Sequence, residues 1–125
     1  MTHLCIDYGL AHCGLALGIE HIAEPLETIA TAQALKRIEE LVKIHQPQRI
    51  VIGLSEGDMA EKTKRFAESL QATMNIPIAF QDETLTSQEV RQQMAQSGMK
   101  RSRREAKIDH LVAARILQDY LDTVY

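Results

Sequence analysis

Apolar and polar positions divide the chain into two kinds of segment. Thr2–Ile6 is a short apolar run that stops at Asp7, and Gly14–Ile19 is a second, with Tyr8–Cys13 as the turn between them. So short a spacing predicts an antiparallel hairpin. Ile22–Ile29 alternates loosely around Pro25, which suits a third strand at a sheet edge, where a missing N–H is tolerated. The period then changes. Leu35, Ile38, Leu41 and Val42 recur at helical spacing within Thr31–His45, and Pro47 ends that segment. Arg49–Leu54 is a β-branched run typical of a strand buried on both faces. Asp58–Met74 reads as a helix with Phe66, Ala67 and Leu70 inward, and Ile76–Gln81 as a strand followed directly by Asp82 and Glu83. Thr86-Ser87-Gln88-Glu89 has capping-box spacing, so a helix is expected from there to about Ser97, closed by Gly98. Arg104–Leu121 is the last helix.

Three meandering strands followed by strands that alternate with helices call for a mixed sheet. The expected fold is α/β: five strands, the first three antiparallel and the later ones parallel, flanked by helices. A chain of 125 residues fits one domain, 1–125, with one core. Nothing approaches the roughly 20 apolar residues that span a bilayer, and no basic flank precedes a long apolar run at the N-terminus. Cys5 and Cys13 are too few for a disulfide framework and form no C-x-x-C pair. Reduced thiols and a cytoplasmic location are expected, with Cys5 in the core and Cys13 in a turn.

Three acids stand at special places. Asp7 ends the first strand, and Asp82 and Glu83 end the last. Asp109 shares one helical stripe with Ala113, Ile116 and Tyr120, so a carboxylate lies at the edge of a face committed to the core. Taken singly, each has an ordinary reading: polar residues close strands, and Asp109 could sit on an exposed turn or pair with Arg104 or Lys107. Taken together, they can converge, and carboxylates that converge need a cation. Mg²⁺ or Mn²⁺ is the natural partner, because such ions take oxygen ligands and phosphates. A pair of them suits attack of water on a phosphodiester. Gly9 would then leave room for a phosphate backbone to approach.

Net charge is −3, which does not point to nucleic acid, but Lys100, Arg101, Arg103, Arg104 and Lys107 put five cations into eight residues just before Asp109. Such a run beside a metal-carboxylate site can hold a nucleic-acid strand without regard to sequence. Aromatic residues are only 4%, so base stacking is not expected to dominate. His3, His21, His45 and His110 show no metal-ligand pairing and read as surface or packing residues.

Asp7-Tyr8-Gly9 with Gly14-Leu15-Ala16, Ile50–Leu54, Asp82-Glu83-Thr84-Leu85-Thr86, and Ile108–Leu121 together resemble the YqgF, or RuvX-like, family across nearly the whole chain. The last segment is the most specific. The resemblance implies an RNase H-like fold and a nuclease of Holliday junctions or of pre-16S rRNA. It also implies metal-binding acids at Asp7, at Glu83 or Asp82 with Glu83 favoured, and at Asp109. Nucleic acid would be the partner, with ribosomal particles as a further expectation, a monomer or weak homodimer, and no membrane. The chain departs from the family pattern at three places. His12 and Thr84 stand where arginines are usual, and Ser55-Glu56-Gly57 replaces a longer loop. Neither substitute clasps phosphate as arginine does. A degenerate RNase H-like module that binds without cutting is therefore the alternative. A nucleotide-binding phosphotransfer domain is a weaker one, because the chain has length for one domain and lacks a second glycine-rich phosphate turn.

Overall fold

The computed structural model describes residues 1–83, 92–93 and 101–125, and for 101–108 the backbone alone. Strands β1 (Thr2–Asp7), β2 (His12–Ile19) and β3 (Ile22–Ala30) come first, followed by a 3₁₀ turn at Thr31–Gln33. Helix α1 (Ala34–His45), strand β4 (Arg49–Leu54), helix α2 (Gly57–Thr73), strand β5 (Ile78–Asp82) and helix α3 (Arg101–Val124) complete the described elements. The sheet has the order β3-β2-β1-β4-β5. β2 is antiparallel to both β1 and β3. β4 is parallel to both β1 and β5. The expected mixed sheet is therefore present, with β1 at its centre and β3 at an edge.

The two faces have separate cores. Leu4, Ile6, Leu15, Ile50 and Ile52 pack with Ile38 and Leu41 of α1 and with Phe66 and Leu70 of α2. Cys5, Ala16 and Val51 point the other way and pack with Val112, Ala113, Ile116 and Leu117 of α3. Residues i and i+2 share a face of a strand, so this division follows from alternation along β1 and β4. Asp7 shares the α3 face with Cys5.

Several boundaries differ from expectation, each for a local reason. Thr31 donates its backbone N–H to the Ala11 carbonyl (3.0 Å) and its hydroxyl to the Gly9 carbonyl (2.7 Å). These bonds tie it to the β1–β2 turn, so α1 begins only at Ala34 and buries Ala34, Ile38 and Leu41, leaving Leu35 41% exposed. Pro77 has no N–H to give a ladder, and β5 begins after it. β2 begins at His12, so Cys13 is a buried strand residue packed in the α1–α2 core and not part of a turn. Helix α3 extends beyond Arg104–Leu121 at both ends. Gln92 and Gln93, within the expected helix of residues 86–97, are helical; the rest of that helix, its capping box at Thr86–Glu89, Gly98, Thr84 and Lys100 lie outside the described residues. No helix among the described residues is long and apolar enough to cross a membrane.

Candidate metal centre

Asp7 is the last residue of the central strand and lies opposite Gly14 of β2. Its side chain faces α3 and is only 9% exposed. On the other side of β1, Ile6 pairs with Ile52, which brings Gly53 level with Asp7. Gly53 has no side chain, and its place is taken from above: a Cβ there would stand 2.9 Å from Glu83 Oε2 and 2.8 Å from Ile116 Cδ1. Glu83 follows β5 and continues the parallel ladder, donating its N–H to the Leu54 carbonyl at 3.2 Å. Alternation from Ala79 puts its side chain on the α3 face, 8% exposed, with Oε2 buried and without a hydrogen-bond partner.

Asp109 comes from above β2. A Cβ on Gly14 would collide with the Asp109 carbonyl and the His110 nitrogen, so the helix backbone rests on the bare strand at the residue that pairs with Asp7. Asp7 is thus flanked by Glu83 over β4 and by Asp109 over β2. The cysteines register this grouping. Burial pushes the Cys5 thiol well above its usual range, and the charges of Asp7 and Glu83 add to the rise. Burial also raises Cys13; hydrogen bonds from Thr31 and Gly9 oppose it, and Asp7 and Asp109 contribute upward. Among the described residues, no three or more His, Cys, Asp or Glu side chains are grouped closely enough to hold a metal ion.

Asp82 is not brought to this group. It is exposed and, by alternation, lies on the opposite face with Ile78 and Phe80. The Gly9 reading changes as well. A Cβ there would lie 2.5 Å from the His12 carbonyl oxygen, so Gly9 is needed to close the β1–β2 turn. His12 is exposed at the start of β2. Arg101, Arg103, Arg104 and Lys107 lie on α3 before Asp109, within about 12 Å of it along the axis at 1.5 Å per residue. The two close-contact glycines, Gly14 and Gly53, were invisible as such in the sequence, where both read as members of strands.

An orphaned, buried carboxylate oxygen beside a second buried acid is a donor set that suits a hard cation. All three acids offer oxygen, and the space over Gly53 admits the Glu83 carboxylate only because no side chain is there.

The architecture is that of the RNase H-like resolvases. RuvC of Thermus thermophilus, solved with a Holliday junction substrate, superposes with a TM-score of 0.64 at 15% identity, covering 99% of this chain and 95% of that one. The Fowlpox virus resolvase, solved with Holliday junction DNA, gives 0.63 at 11% identity, with 99% of both chains covered. Sequence narrows the class. The RuvX family model, described as Holliday junction resolvase, matches residues 1–123. The "Putative pre-16S rRNA nuclease" of Syntrophus aciditrophicus is 36% identical over 99% of this chain and 90% of its own length. The protein of the same name from Bacillus subtilis is 32% identical over 99% of both. The chain belongs to the RuvX family.

Proposed function

We propose that this chain is a metal-dependent nuclease that hydrolyses phosphodiester bonds, with Asp7, Glu83 and Asp109 as the residues that hold Mg²⁺ or Mn²⁺. The observation that carries this reading is Glu83 Oε2, buried without a partner over Gly53 and level with Asp7. Leaving such an oxygen unsatisfied costs about 1–3 kcal/mol or more for a charged group, and a cation removes that cost. A divalent ion bound there supplies positive charge to the phosphate and lowers the pKa of a water nucleophile. The protein's part is placement. The central strand fixes Asp7, the ladder bond of Glu83 fixes its backbone, and the seat on Gly14 fixes Asp109. Asp82 is left outside the ligand set.

The substrate we favour is an RNA precursor of the 16S type, on the strength of the relatives' names; branched DNA is the other arm. The cations at Lys100, Arg101, Arg103, Arg104 and Lys107 would grip the strand's phosphates beside the site. Buried, free Cys5 and Cys13 suit a reducing cytoplasm. The absence, among the described residues, of three ligand side chains grouped closely enough to hold a metal ion favours the second reading, a module that binds nucleic acid without cutting it.

Cleavage of a panel of precursor RNA, single strands and four-way DNA junctions, with Mg²⁺, Mn²⁺ or EDTA, decides between them. Metal-dependent cleavage lost in Asp7→Asn is expected. Binding without cleavage under every condition would leave the second reading. Replacing Arg101, Arg103 and Arg104 with alanine should flatten the salt dependence of binding, and an unchanged slope would remove those residues from the interface.

A further inference from the structure

Helix α3 is not held to the sheet by apolar packing alone. Two side chains on it, eight residues apart, bond to the edge strand β3 and to the turn that leads into it. Near the acids, His110 Nδ1 and Thr28 Oγ1 share a hydrogen bond of 2.8 Å. Toward the other end, Gln118 accepts from the Ala23 N–H at 2.9 Å and donates to the His21 carbonyl at 2.8 Å.

The first of these bonds has a particular address. Thr28 is the β3 partner of Gly14, and Gly14 is the β2 partner of Asp7. Thr28, Gly14 and Asp7 therefore form one row across three strands. Asp109 rests on the middle member and His110 is bonded to the outer one. Contact on bare Gly14 sets how close the helix lies, but a smooth seat does not stop the helix from rolling or sliding. A hydrogen bond from the next residue to a fixed strand does.

We infer that His110 and Thr28 are positioning residues for the acid site: their bond fixes the rotation and height of α3, and through it where the Asp109 carboxylate stands relative to Asp7. This rests on the metal-site reading above. Groups that orient metal ligands typically change metal affinity by about 10–100-fold when removed. A group acting through one peptide unit belongs at the low end.

Calorimetric titration of the full chain with Mn²⁺ tests this, with a melting curve for every variant. Thr28→Val keeps the side-chain shape and removes the bond, and should weaken Mn²⁺ binding about tenfold. Thr28→Ser should restore it. His110→Ala should match Thr28→Val, and His110→Asn, which keeps a polar atom near Nδ1, should recover part of the loss. Gln118→Ala is the control: it removes bonds to the same strand, should lower the melting temperature, and should leave Mn²⁺ affinity within twofold. If wild type binds Mn²⁺ and Thr28→Val binds it equally well, the positioning role is wrong and the metal site stands. The role is also wrong if Gln118→Ala weakens binding as much as Thr28→Val, since both would then act through stability alone. If wild type binds no Mn²⁺, the metal site is wrong and the positioning role falls with it.

Discussion

The two faces of the sheet bury comparable strands with different materials. Against α1 and α2 the sheet offers Leu4, Ile6, Leu15, Ile50 and Ile52, large side chains that fill the gap to the helices. Against α3 it offers Cys5, Gly14, Ala16, Val51 and Gly53, which are mostly small. Large residues on the first face maximise the apolar area removed from water. Small ones on the second let a helix backbone reach the strands, so that a helix-borne acid can join acids from the strand ends. Part of the apolar burial available on that face is given up for closeness, and a buried carboxylate oxygen without a hydrogen-bond partner, Glu83 Oε2, stands where the closeness is used. On the proposed function, one face holds the fold and the other positions chemistry.

The largest effect on stability should come from the first face. Ile6→Ala leaves a cavity in the α1–α2 core and should cost about 2–5 kcal/mol in urea unfolding, while cleavage per folded molecule stays near wild type. A matching loss of specific activity would mean that the faces are not separable. On the second face, Gly14→Ala should cost less, about 1–3 kcal/mol from overpacking. It should nevertheless abolish cleavage, because the new methyl meets the Asp109 carbonyl and lifts the helix that carries that acid. A Gly14→Ala protein that folds and cuts normally would break the comparison.

The smallest effect concerns pH and lies at the far end of the α3 face. His3 is 1% exposed, stands edge-on to Tyr120 at 5.8 Å between ring centres, and pairs in the sheet with Arg49, which donates to Tyr120 Oη at 2.6 Å. Burial lowers its pKa, and the Arg49 guanidinium and the N-terminal ammonium lower it further. The unfolded chain then binds the proton more readily than the folded one. The stability linked to His3 is complete above about pH 6.5 and is lost as pH falls through its depressed folded value. His3→Leu should therefore flatten the decline in stability between pH 7 and 5. An equally steep decline would place the proton elsewhere.

Much of this was legible in the sequence, and the boundary between what was and what was not is physical. Period-two and period-3.6 patterns are local, so they located the hairpin, the doubly buried β4 and the stripe of Ala113, Ile116 and Tyr120 at whose edge Asp109, half-buried, lies. Asp7 at a strand end followed from the same pattern. The preference for Glu83 over Asp82 came with the family resemblance, and the structure adds that Glu83 is buried while Asp82 is exposed. What escaped depends on which residues become neighbours across the sheet. Leu35 fits a helical stripe, but Thr31 is held by the Gly9 and Ala11 carbonyls and shifts the helix start. Cys13 looks like a turn residue until β2 is seen to begin at His12. Gly53 reads as a strand residue, and only the path of Glu83 explains the missing side chain. The Thr28–His110 bond joins residues 82 apart, and no local pattern announces it.

On the proposed reading Glu83, whose Oε2 is buried without a hydrogen-bond partner, holds a divalent ion with Asp7 and Asp109. Thermal melting of wild type and Glu83→Gln, each in EDTA and in excess Mg²⁺, tests it most directly. A ligand that binds only the folded state raises stability, by about 2.7 kcal/mol at a hundred times its dissociation constant. Wild type should melt several degrees higher in Mg²⁺ than in EDTA. Glu83→Gln should melt no lower than wild type in EDTA, having lost an uncompensated buried charge, and should gain little from Mg²⁺. Equal Mg²⁺ shifts in the two proteins, or none in wild type, would contradict the account.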